Sequence, residues 1–286
     1  MQRQTQRGQT LKKILLLDAN NLIYRARYSA KYAREGDAAI VYSFFRSLRP
    51  LVEKFDPDIC YFVRDGAPSD RLDILPEYKQ NRIREHDESF FSQKKTIEEL
   101  VDSCFPITVC RDKELEADDL IAYLVLEVHR QDECVIISSD TDFVQLLQEH
   151  ENCELYNPIT KKMRLAPEYD YLTWKSLRGD GSDNIPGIPR VGDKTAAKLA
   201  LNSGELHTFL NKDKNNKEIY ERNRNLIKFR NPKDVSKIFV GNNKADFDKI
   251  KAKFIELNFH SMVNEKSWVK YKKTFEGILN ENCIKQ

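Results

Sequence analysis

Four short apolar runs in the first half of the chain constrain its fold more than any other feature. They are near-continuous stretches rich in Ile, Leu, Val and Phe, and they cover KILLLD (13–18), ICYFVRD (59–65), FPITVC (105–110) and CVIISSD (134–140). Runs of this kind are typical of strands that are buried on both faces of a parallel sheet. Longer segments with helical spacing separate them, so the sequence predicts an α/β domain with a mainly parallel central sheet flanked by helices.

Acidic residues follow these runs. Asp18 and Asp140 end two of them, Asp65 comes after a single Arg in a third, and Glu116 follows the remaining run by six residues. Because the carboxyl ends of parallel strands meet at one edge of a sheet, we expect these acids to lie close together. Each Asp could instead cap the helix that follows, which is worth about 1 kcal/mol. Capping does not explain why Asp142 accompanies Asp140.

The segment ELEADDLIAYL adds two more acids at the head of an apolar helix. Acids in a first turn interact favourably with the helix dipole, but each contributes only about 0.3–1 kcal/mol. On a helical wheel Glu116 and Asp119 lie about 60° apart at one edge of the apolar stripe, whereas Asp118 lies at the other edge. This spacing predicts that Glu116 and Asp119 bind a ligand together and leaves the role of Asp118 open.

Asp180 and Asp183, in a Gly-rich turn, bring this set to nine acids. Two carboxylates about 4 Å apart repel each other by roughly 4 kcal/mol at an effective dielectric constant near 20, so such a cluster must take up protons or bind cations. Oxygen ligands without Cys or His partners favour Mg²⁺ or Mn²⁺ over zinc, and a pair of such ions is the usual arrangement for hydrolysing a phosphodiester.

Charge and composition narrow the classes of protein further. If the nine acids bind cations, the 47 Lys and Arg residues face only 36 other acids, a surplus of 11 positive charges that suits a phosphate-rich partner. No apolar stretch approaches the ~18 residues of a membrane span.

The start, MQRQTQRGQTLKK, lacks the apolar core of a secretory signal, although its acid-free, Arg-bearing composition also occurs in organelle transit segments. The six cysteines form no CxxC pair, so we expect reduced thiols and a cytoplasmic protein.

Five segments between residue 14 and about residue 200 stand in an order that resembles the 5'-nuclease family. This family includes flap endonucleases, the 5'-nuclease domain of bacterial DNA polymerases and the compact bacteriophage 5'-exonucleases, some of which act as RNase H-type enzymes. The segments are LLLDANNLIYR, VRDGAPSDRLDILPEYKQNR, ELEADDLIAYL, IISSDTDFVQLL and LRGDGSDNIPGIPRVGDKTAAKLA. The resemblance implies a PIN-like fold over residues 11–170 and a helical duplex-binding region over residues 171–286.

The resemblance also implies which residues bind metal. One ion would be held by Asp18, Asp65, Glu116, Asp118 or Asp119, and Asp140. The second ion would be held by Asp142, Asp180 and Asp183. The ions would be Mg²⁺, with Mn²⁺ able to replace it, and would promote attack of water on the scissile phosphorus to give a 5'-phosphate and a 3'-hydroxyl.

Residues 70–103 correspond to the helical arch of the family, which admits a single-stranded 5' end. Lys79 and Arg82, three residues apart, are predicted to share a helix face and to point at the scissile phosphate, with a solvated basic face as the alternative. Arg71 is a further predicted DNA contact. Tyr24 falls where the family carries an aromatic that stacks on a base, and a core tyrosine is an equal alternative. For the pair Phe90 and Phe91 we favour packing over base stacking.

The segment at about 180–200 resembles the helix-hairpin-helix element that grips a duplex backbone without reading bases. Gly187, Gly192, Lys194 and Lys198 are its predicted DNA contacts, since a glycine turn that leads into a helix N-terminus suits a phosphate. In the family such hairpins also bind K⁺, although Pro189 interrupts this one.

The function implied is structure-specific 5'-3' exonuclease and flap endonuclease action near single-strand/duplex junctions in replication. Predicted partners are flap, fork, nicked or gapped DNA and RNA primers on DNA, with a single-strand-binding protein or polymerase in addition; we expect a monomer without membrane contact. A haloacid-dehalogenase-like phosphatase, with DTD as nucleophile and acid, would leave Asp18 and Asp65 without a role. A PIN-type ribonuclease would not need the arch or hairpin. A non-catalytic DNA-structure binder would not need the carboxylates.

Overall fold

The computed structural model of the chain describes residues 11–30, 36–82, 87–241, 244–279 and 284. Its strands, in chain order, are β1 (Lys13–Asp18), β2 (Ile59–Arg64), β3 (Thr108–Arg111), β4 (Glu133–Ile137), β5 (Cys153–Asn157), β6 (Lys162–Arg164), β7 (Gly179–Asp180), β8 (Ile185–Pro186) and β9 (Phe239–Val240). Strands β7 and β8 form a short antiparallel pair, and the remaining strands form one sheet in the order β6-β5-β4-β1-β2-β3-β9.

The central strand β1 pairs in parallel with both β2 and β4, and β3 and β5 continue the parallel arrangement on either side. The short strands β6 and β9 close the two edges in antiparallel orientation. The predicted α/β class with a mainly parallel sheet is therefore confirmed. All four predicted strands are present, although the third begins at Thr108 and the fourth ends at Ile137.

Thirteen α-helices surround the sheets in the described part of the chain. They are α1 (Ala19–Ala30), α2 (Ala39–Phe55), α3 (Ser69–Ile74), α4 (Glu88–Cys104), α5 (Ala117–Tyr123), α6 (Val144–Glu149), α7 (Tyr171–Arg178), α8 (Asp193–Leu201), α9 (Ser203–Lys212), α10 (Lys214–Ile227), α11 (Phe247–Glu256), α12 (His260–Val263) and α13 (Glu265–Glu276). Helix α5 continues as a π-helical turn over Leu124–Val128. Among the described residues, no helix has the length and apolar character needed to cross a membrane.

The side chains of β1 enter two separate hydrophobic cores, one on each face of the sheet, because successive side chains of a strand point in opposite directions. Leu15 and Leu17 pack among residues of α1, α2 and α4 on one face. Ile14 and Leu16 pack among residues of α5 and α6 on the other. This double burial explains why the strand sequences are continuously apolar. The cysteines within the described ranges are buried and free, as predicted: Cys60, Cys104, Cys110, Cys134 and Cys153.

The helices of the predicted region 171–286 pack in two groups. Helices α7 to α10 have small apolar clusters of their own beside the sheet domain. Helices α11 to α13 instead pack against α2 and α4, where Phe254 and Tyr271 belong to the same core cluster as Phe45. The last three helices thus complete one face of the α/β domain, and the division of the chain at residue 171 stays a prediction. Residues 83–86 of the predicted arch lie outside the described residues.

Candidate active site

A cavity of about 420 Å³ opens at the carboxyl edge of the sheet, beside the ends of β1 and β2. It contains eight of the residues predicted from the sequence. These are the acids Asp18, Asp65, Glu116, Asp118 and Asp140, together with Tyr24, Lys79 and Arg82. The cavity walls also include Asn20, Asn21, Arg25, Tyr28, Ala117, Ser139 and Ile159. The topology therefore brings together acids that are up to 122 positions apart in the sequence.

Asp18 lies at the end of the central strand, where its carboxylate is held from two sides. Its Oδ1 accepts a hydrogen bond from the Asn21 backbone N–H (3.1 Å), and its Oδ2 accepts one from the Ser138 hydroxyl (2.8 Å). Burial and the nearby charge of Asp65 raise the pKa of Asp18 to about 7. Without a cation, this carboxyl group is consequently divided between its protonated and ionised forms at neutral pH.

The start of helix α5 places Glu116, Asp118 and Asp119 close together, although Glu116 is not part of the helix. Glu116 precedes the helix with an extended backbone (φ −75°, ψ 161°), so its direction cannot be read from the wheel. Asp118 is half-buried and lines the cavity, whereas Asp119 is completely buried behind it. Carboxylate oxygens of Glu116, Asp118 and Asp119 nevertheless lie within 4.8 Å of one another, so the predicted pairing of Glu116 with Asp119 as ligands stays a prediction. Glu116 and Asp118 line the cavity itself. Burial and the charge of Asp119 raise the pKa of Asp118 well above its usual range.

Arg71 explains why Asp119 does not face the cavity. Its guanidinium donates to both oxygens of Asp119 (2.5 and 2.8 Å) and to Glu116 Oε2 (2.8 Å). Its Nε donates to the Leu226 carbonyl (2.8 Å), and the residue is 3% exposed. The prediction of Arg71 as a DNA contact is wrong, because every side of this guanidinium is enclosed by protein. It orients Glu116 and Asp119 and joins α3 to α5 and α10.

A second acid cluster lies beside the cavity. Carboxylate oxygens of Asp142, Asp180 and Asp183, all buried, lie within 4.8 Å of one another. The buried ammonium of Lys175 donates to Asp142 and lies 2.6 Å from Asp180 Oδ2. Burial would raise the pKa of Asp180, but Lys175 outweighs it and the pKa is lowered. Sequence reasoning missed Lys175, whose one signal was a lysine within the otherwise largely uncharged helix segment YLTWKSL.

Lys79 and Arg82 both reach the acids, but not from a helix. Lys79 has a left-handed backbone (φ 57°) within a turn that follows α3, so the predicted shared helix face is wrong. Its ammonium contacts Glu116 and lies 3.6 Å from Asp183, and Arg82 contacts Asp183 at 2.5 Å. The buried Tyr78 hydroxyl lies 3.0 Å from Glu116 and 3.2 Å from Asp183. This turn therefore connects the two acid clusters.

The aromatic residues at the arch side of the cavity have different environments. Tyr24 is 42% exposed and lines the cavity, which is unlike a core tyrosine. Phe90 is buried, with its ring 5.0 Å from that of Tyr24, as the packing prediction requires. Phe91 is exposed, so the packing prediction does not describe it. Tyr24 alone of the three presents a ring at the cavity.

The predicted hairpin residues fall into two groups. A side chain at Gly187 would collide with the Arg178 carbonyl, with its Cβ at 1.9 Å, so this glycine allows close backbone packing, and its predicted DNA contact stays a prediction. Gly192 is open and precedes α8, whose first turns expose Lys194 and Lys198. Lys198 lies 3.0 Å from Glu205. The open N-terminus of α8 stays the predicted contact with a duplex backbone.

Two family models match the sequence of this chain. The 5'-3' exonuclease N-terminal resolvase-like domain matches residues 13–172, and the 5'-3' exonuclease C-terminal SAM fold matches residues 166–241. The chain belongs to the 5'-3' exonuclease family. The resemblance found in the five sequence motifs is thus confirmed, and with it the fold class and the assignment to an enzyme family of nucleases.

Similar proteins include a 5'-3' exonuclease from Mycoplasmopsis pulmonis, which is 30% identical over 213 residues that cover 71% of this chain and 70% of that protein. The thermostable DNA polymerase I of Thermus thermophilus is 34% identical over 206 residues, 68% of this chain and 24% of the polymerase. The chain thus spans about a quarter of this polymerase's length.

Solved structures with a similar fold include two of proteins from bacteriophage T5. The T5 D15 protein co-crystallised with metal ions has a TM-score of 0.62 at 24% identity, covering 76% of this chain and 89% of that one. The T5 5'-exonuclease with bound zinc has a TM-score of 0.61 at 25% identity, with the same coverage. The parallel sheet and its helices are therefore a fold that this chain shares with metal-binding 5'-exonucleases.

The side chains of the site fit divalent cations. The two acid clusters contain only carboxylate donors, and three oxygens in the second cluster are close enough to share one ion. Four cationic side chains, Arg71, Lys79, Arg82 and Lys175, currently balance these carboxylates. Crowded, partly buried carboxylates with raised pKa values are those that gain most from a bound cation. The arrangement supports dependence on divalent metal ions.

Proposed function

We propose that the chain hydrolyses phosphodiester bonds of 5'-ended and branched DNA, as a structure-specific 5'-3' exonuclease and flap endonuclease. The observation that carries this proposal is the convergence of five acids, Lys79 and Arg82 on one cavity, with a second carboxylate cluster beside it. A phosphatase that used Asp140 and Asp142 alone would leave Asp18, Asp65 and Asp118 without a role.

Two divalent ions fit the donor set, and we propose Mg²⁺ with Mn²⁺ as a substitute. Asp18, Asp65, Glu116, Asp118 or Asp119, and Asp140 would hold the first ion. Asp142, Asp180 and Asp183 would hold the second. When bound, a pair of such ions activates water for attack on phosphorus and stabilises the leaving oxygen. A K⁺ ion at the 185–192 hairpin is an additional prediction.

The chain's own residues bind and orient the substrate around this centre. Lys79 and Arg82 are ion-paired with Glu116 and Asp183, and they can donate to oxygens of the scissile phosphate once those carboxylates bind metal. Tyr24 offers its exposed ring to a base next to the cut. Arg25 lines the cavity and supplies a further cation for the phosphate backbone. Hydrolysis in this geometry would leave a 5'-phosphate and a 3'-hydroxyl.

The duplex would extend from the cavity toward α8. Exposed Lys194 follows the open Gly192 at the helix N-terminus, where backbone N–H groups and the helix dipole favour a phosphate. Contacts of this kind read backbone shape, so we expect cleavage of both DNA flaps and RNA primers on DNA. Action as a monomer in the cytoplasm, alongside a polymerase or single-strand-binding protein, completes the proposal.

The test is cleavage of end-labelled 5'-flap and forked duplexes with and without Mg²⁺. We expect cleavage near the junction that Asp140→Ala abolishes. Glu154→Gln, at an exposed position on β5 outside the site, is the matched control and should retain activity. Absence of metal-dependent cleavage by the unchanged chain would refute the proposal. Release of phosphate from small esters without cleavage of flaps would identify a phosphatase.

A further inference from the structure

Helix α4, the C-terminal limb of the predicted arch, is linked to Asp65 of the cavity through Lys94 and Asn20. The Lys94 ammonium donates to Asn20 Oδ1 at 2.6 Å. It also lies 3.8 Å from Glu98, one turn further along α4, and Glu98 pairs with Arg64. The Lys94 side chain is 24% exposed and lies behind Asn20, which itself lines the cavity. Lys94 thus contacts the wall of the cavity from outside.

The Asn20 amide has only one orientation that suits both of its neighbours. Its Nδ2 donates to Asp65 Oδ2, so its Oδ1 faces the Lys94 ammonium. An amide has one accepting oxygen and one donating nitrogen. The reversed amide would place its oxygen against the Asp65 carboxylate and its NH₂ group against the ammonium, and both contacts would be repulsive. Lys94 therefore fixes the orientation in which Asn20 donates to Asp65.

Asp65 is consequently held at both carboxylate oxygens. Oδ1 accepts the Ala117 backbone N–H at 2.7 Å, where α5 begins beside Glu116. Oδ2 accepts the Asn20 amide. Each carboxylate oxygen has a second lone pair, and these remain available to a cation in the cavity. The hydrogen bond from Lys94 through Asn20 is thus one of two constraints that set the carboxylate plane.

We propose that Lys94 is a positioning residue of the metal centre, acting through Asn20 on Asp65. The inference deepens the proposed function, since it rests on Asp65 being a metal ligand. It also gives α4 a role apart from admitting DNA, because the helix carries a side chain that orients the ligand set. Outer contacts of this kind commonly change metal affinity by about 10- to 100-fold when they are removed.

The test is direct measurement of Mn²⁺ binding by calorimetry on the full chain without DNA, so that it does not depend on catalysis. Lys94→Met, which keeps the length of the side chain and removes the charge, should weaken the tighter Mn²⁺ site by about tenfold or more. Lys94→Arg, which can still donate to Asn20, should restore most of the affinity. Lys95→Met is the matched control, since Lys95 is 76% exposed and pairs with Glu99 on the same helix.

Two further measurements separate positioning from other roles. In an Asn20→Ala background, Lys94→Met should change Mn²⁺ affinity by less than about twofold, because the two residues act in one chain of contacts. Affinity for flap DNA in EDTA should be unchanged by Lys94→Met. Unchanged Mn²⁺ affinity in Lys94→Met, or equal losses in Lys94→Met and Lys95→Met, would overturn the proposal. A cleavage failure of the unchanged chain that nevertheless binds Mn²⁺ would refute the proposed function alone.

Discussion

Replacement of Arg71 by Met tests whether this residue supports the site or binds DNA. The guanidinium makes three hydrogen bonds to carboxylates and one to a carbonyl, all in a buried position. Met occupies a similar volume but leaves Asp119 without a cation. Removing one partner of a buried ion pair destabilises a protein by about 3–5 kcal/mol, because the remaining charge stays buried. At about 2–4 °C per kcal/mol, the melting temperature should fall by roughly 6–20 °C.

Thermal unfolding in EDTA, followed by circular dichroism, measures this loss. Arg82→Met is the matched control, since it removes the same charge from a side chain that is 54% exposed and pairs with Asp183. Asp183 is buried but keeps the Lys79 ammonium at 3.6 Å when Arg82 is removed, so we expect a loss of about 1 kcal/mol and a melting temperature within about 4 °C of the unchanged chain. Equal melting temperatures for the two variants would refute the argument. A stable Arg71→Met protein with weakened DNA binding would restore the original interpretation of Arg71 as a DNA contact.

Three further results are expected. Lys175→Met should destabilise the metal-free chain by about 3 kcal/mol or more, because Asp142 and Asp180 then lack a cation. Mg²⁺ should therefore stabilise this variant more than it stabilises the unchanged chain. Thermal melting with and without Mg²⁺ measures both effects. The pKa of Asp18 is raised to about 7, so Mn²⁺ affinity measured by calorimetry should fall as the pH drops from 8 to 6, because protons then compete with the metal. In the metal-free chain, the contribution of Asp18 to folding stability should be lost as the pH rises through 7, because the buried carboxyl group then ionises. Arg25→Gln should weaken flap-DNA binding and reduce its salt dependence by about one phosphate contact, with an unchanged melting temperature; a steep loss of stability instead would indicate a structural role.

The sequence was informative wherever function depends on where strands end. Continuous apolar runs place Asp18, Asp65 and Asp140 at one edge of a parallel sheet whatever the details of packing. The structure confirms that these acids share a cavity. By contrast, β5, β6 and β9 were missed because CELYN alternates in polarity and the other two strands span only three and two residues. Such strands depend on their neighbours rather than on their own pattern.

The sequence failed where a single backbone angle or a distant partner decides the outcome. Lys79 has a left-handed backbone, so helical periodicity misplaced its side chain. Arg and Lys are common on DNA-binding surfaces, yet Arg71 and Lys175 are both buried beside carboxylates from other elements. Their roles follow from tertiary contacts 33 to 48 positions away in the chain, which no local pattern encodes.

The exposure of each cationic side chain of the site determines whether it can leave its carboxylate partner during a reaction. Arg71 and Lys175 are enclosed, and separation from their carboxylates would leave buried charges unpaired at a cost of several kcal/mol. Arg82 is half exposed, and its buried partner Asp183 keeps Lys79 nearby when Arg82 moves away, so this separation costs less. Lys79 lies between these extremes. The free-energy cost of exchanging a carboxylate for a substrate phosphate is therefore lowest for Arg82, intermediate for Lys79 and highest for Arg71 and Lys175. A turn between α3 and α4 is the position from which two cations can remain near the acids and still change partner.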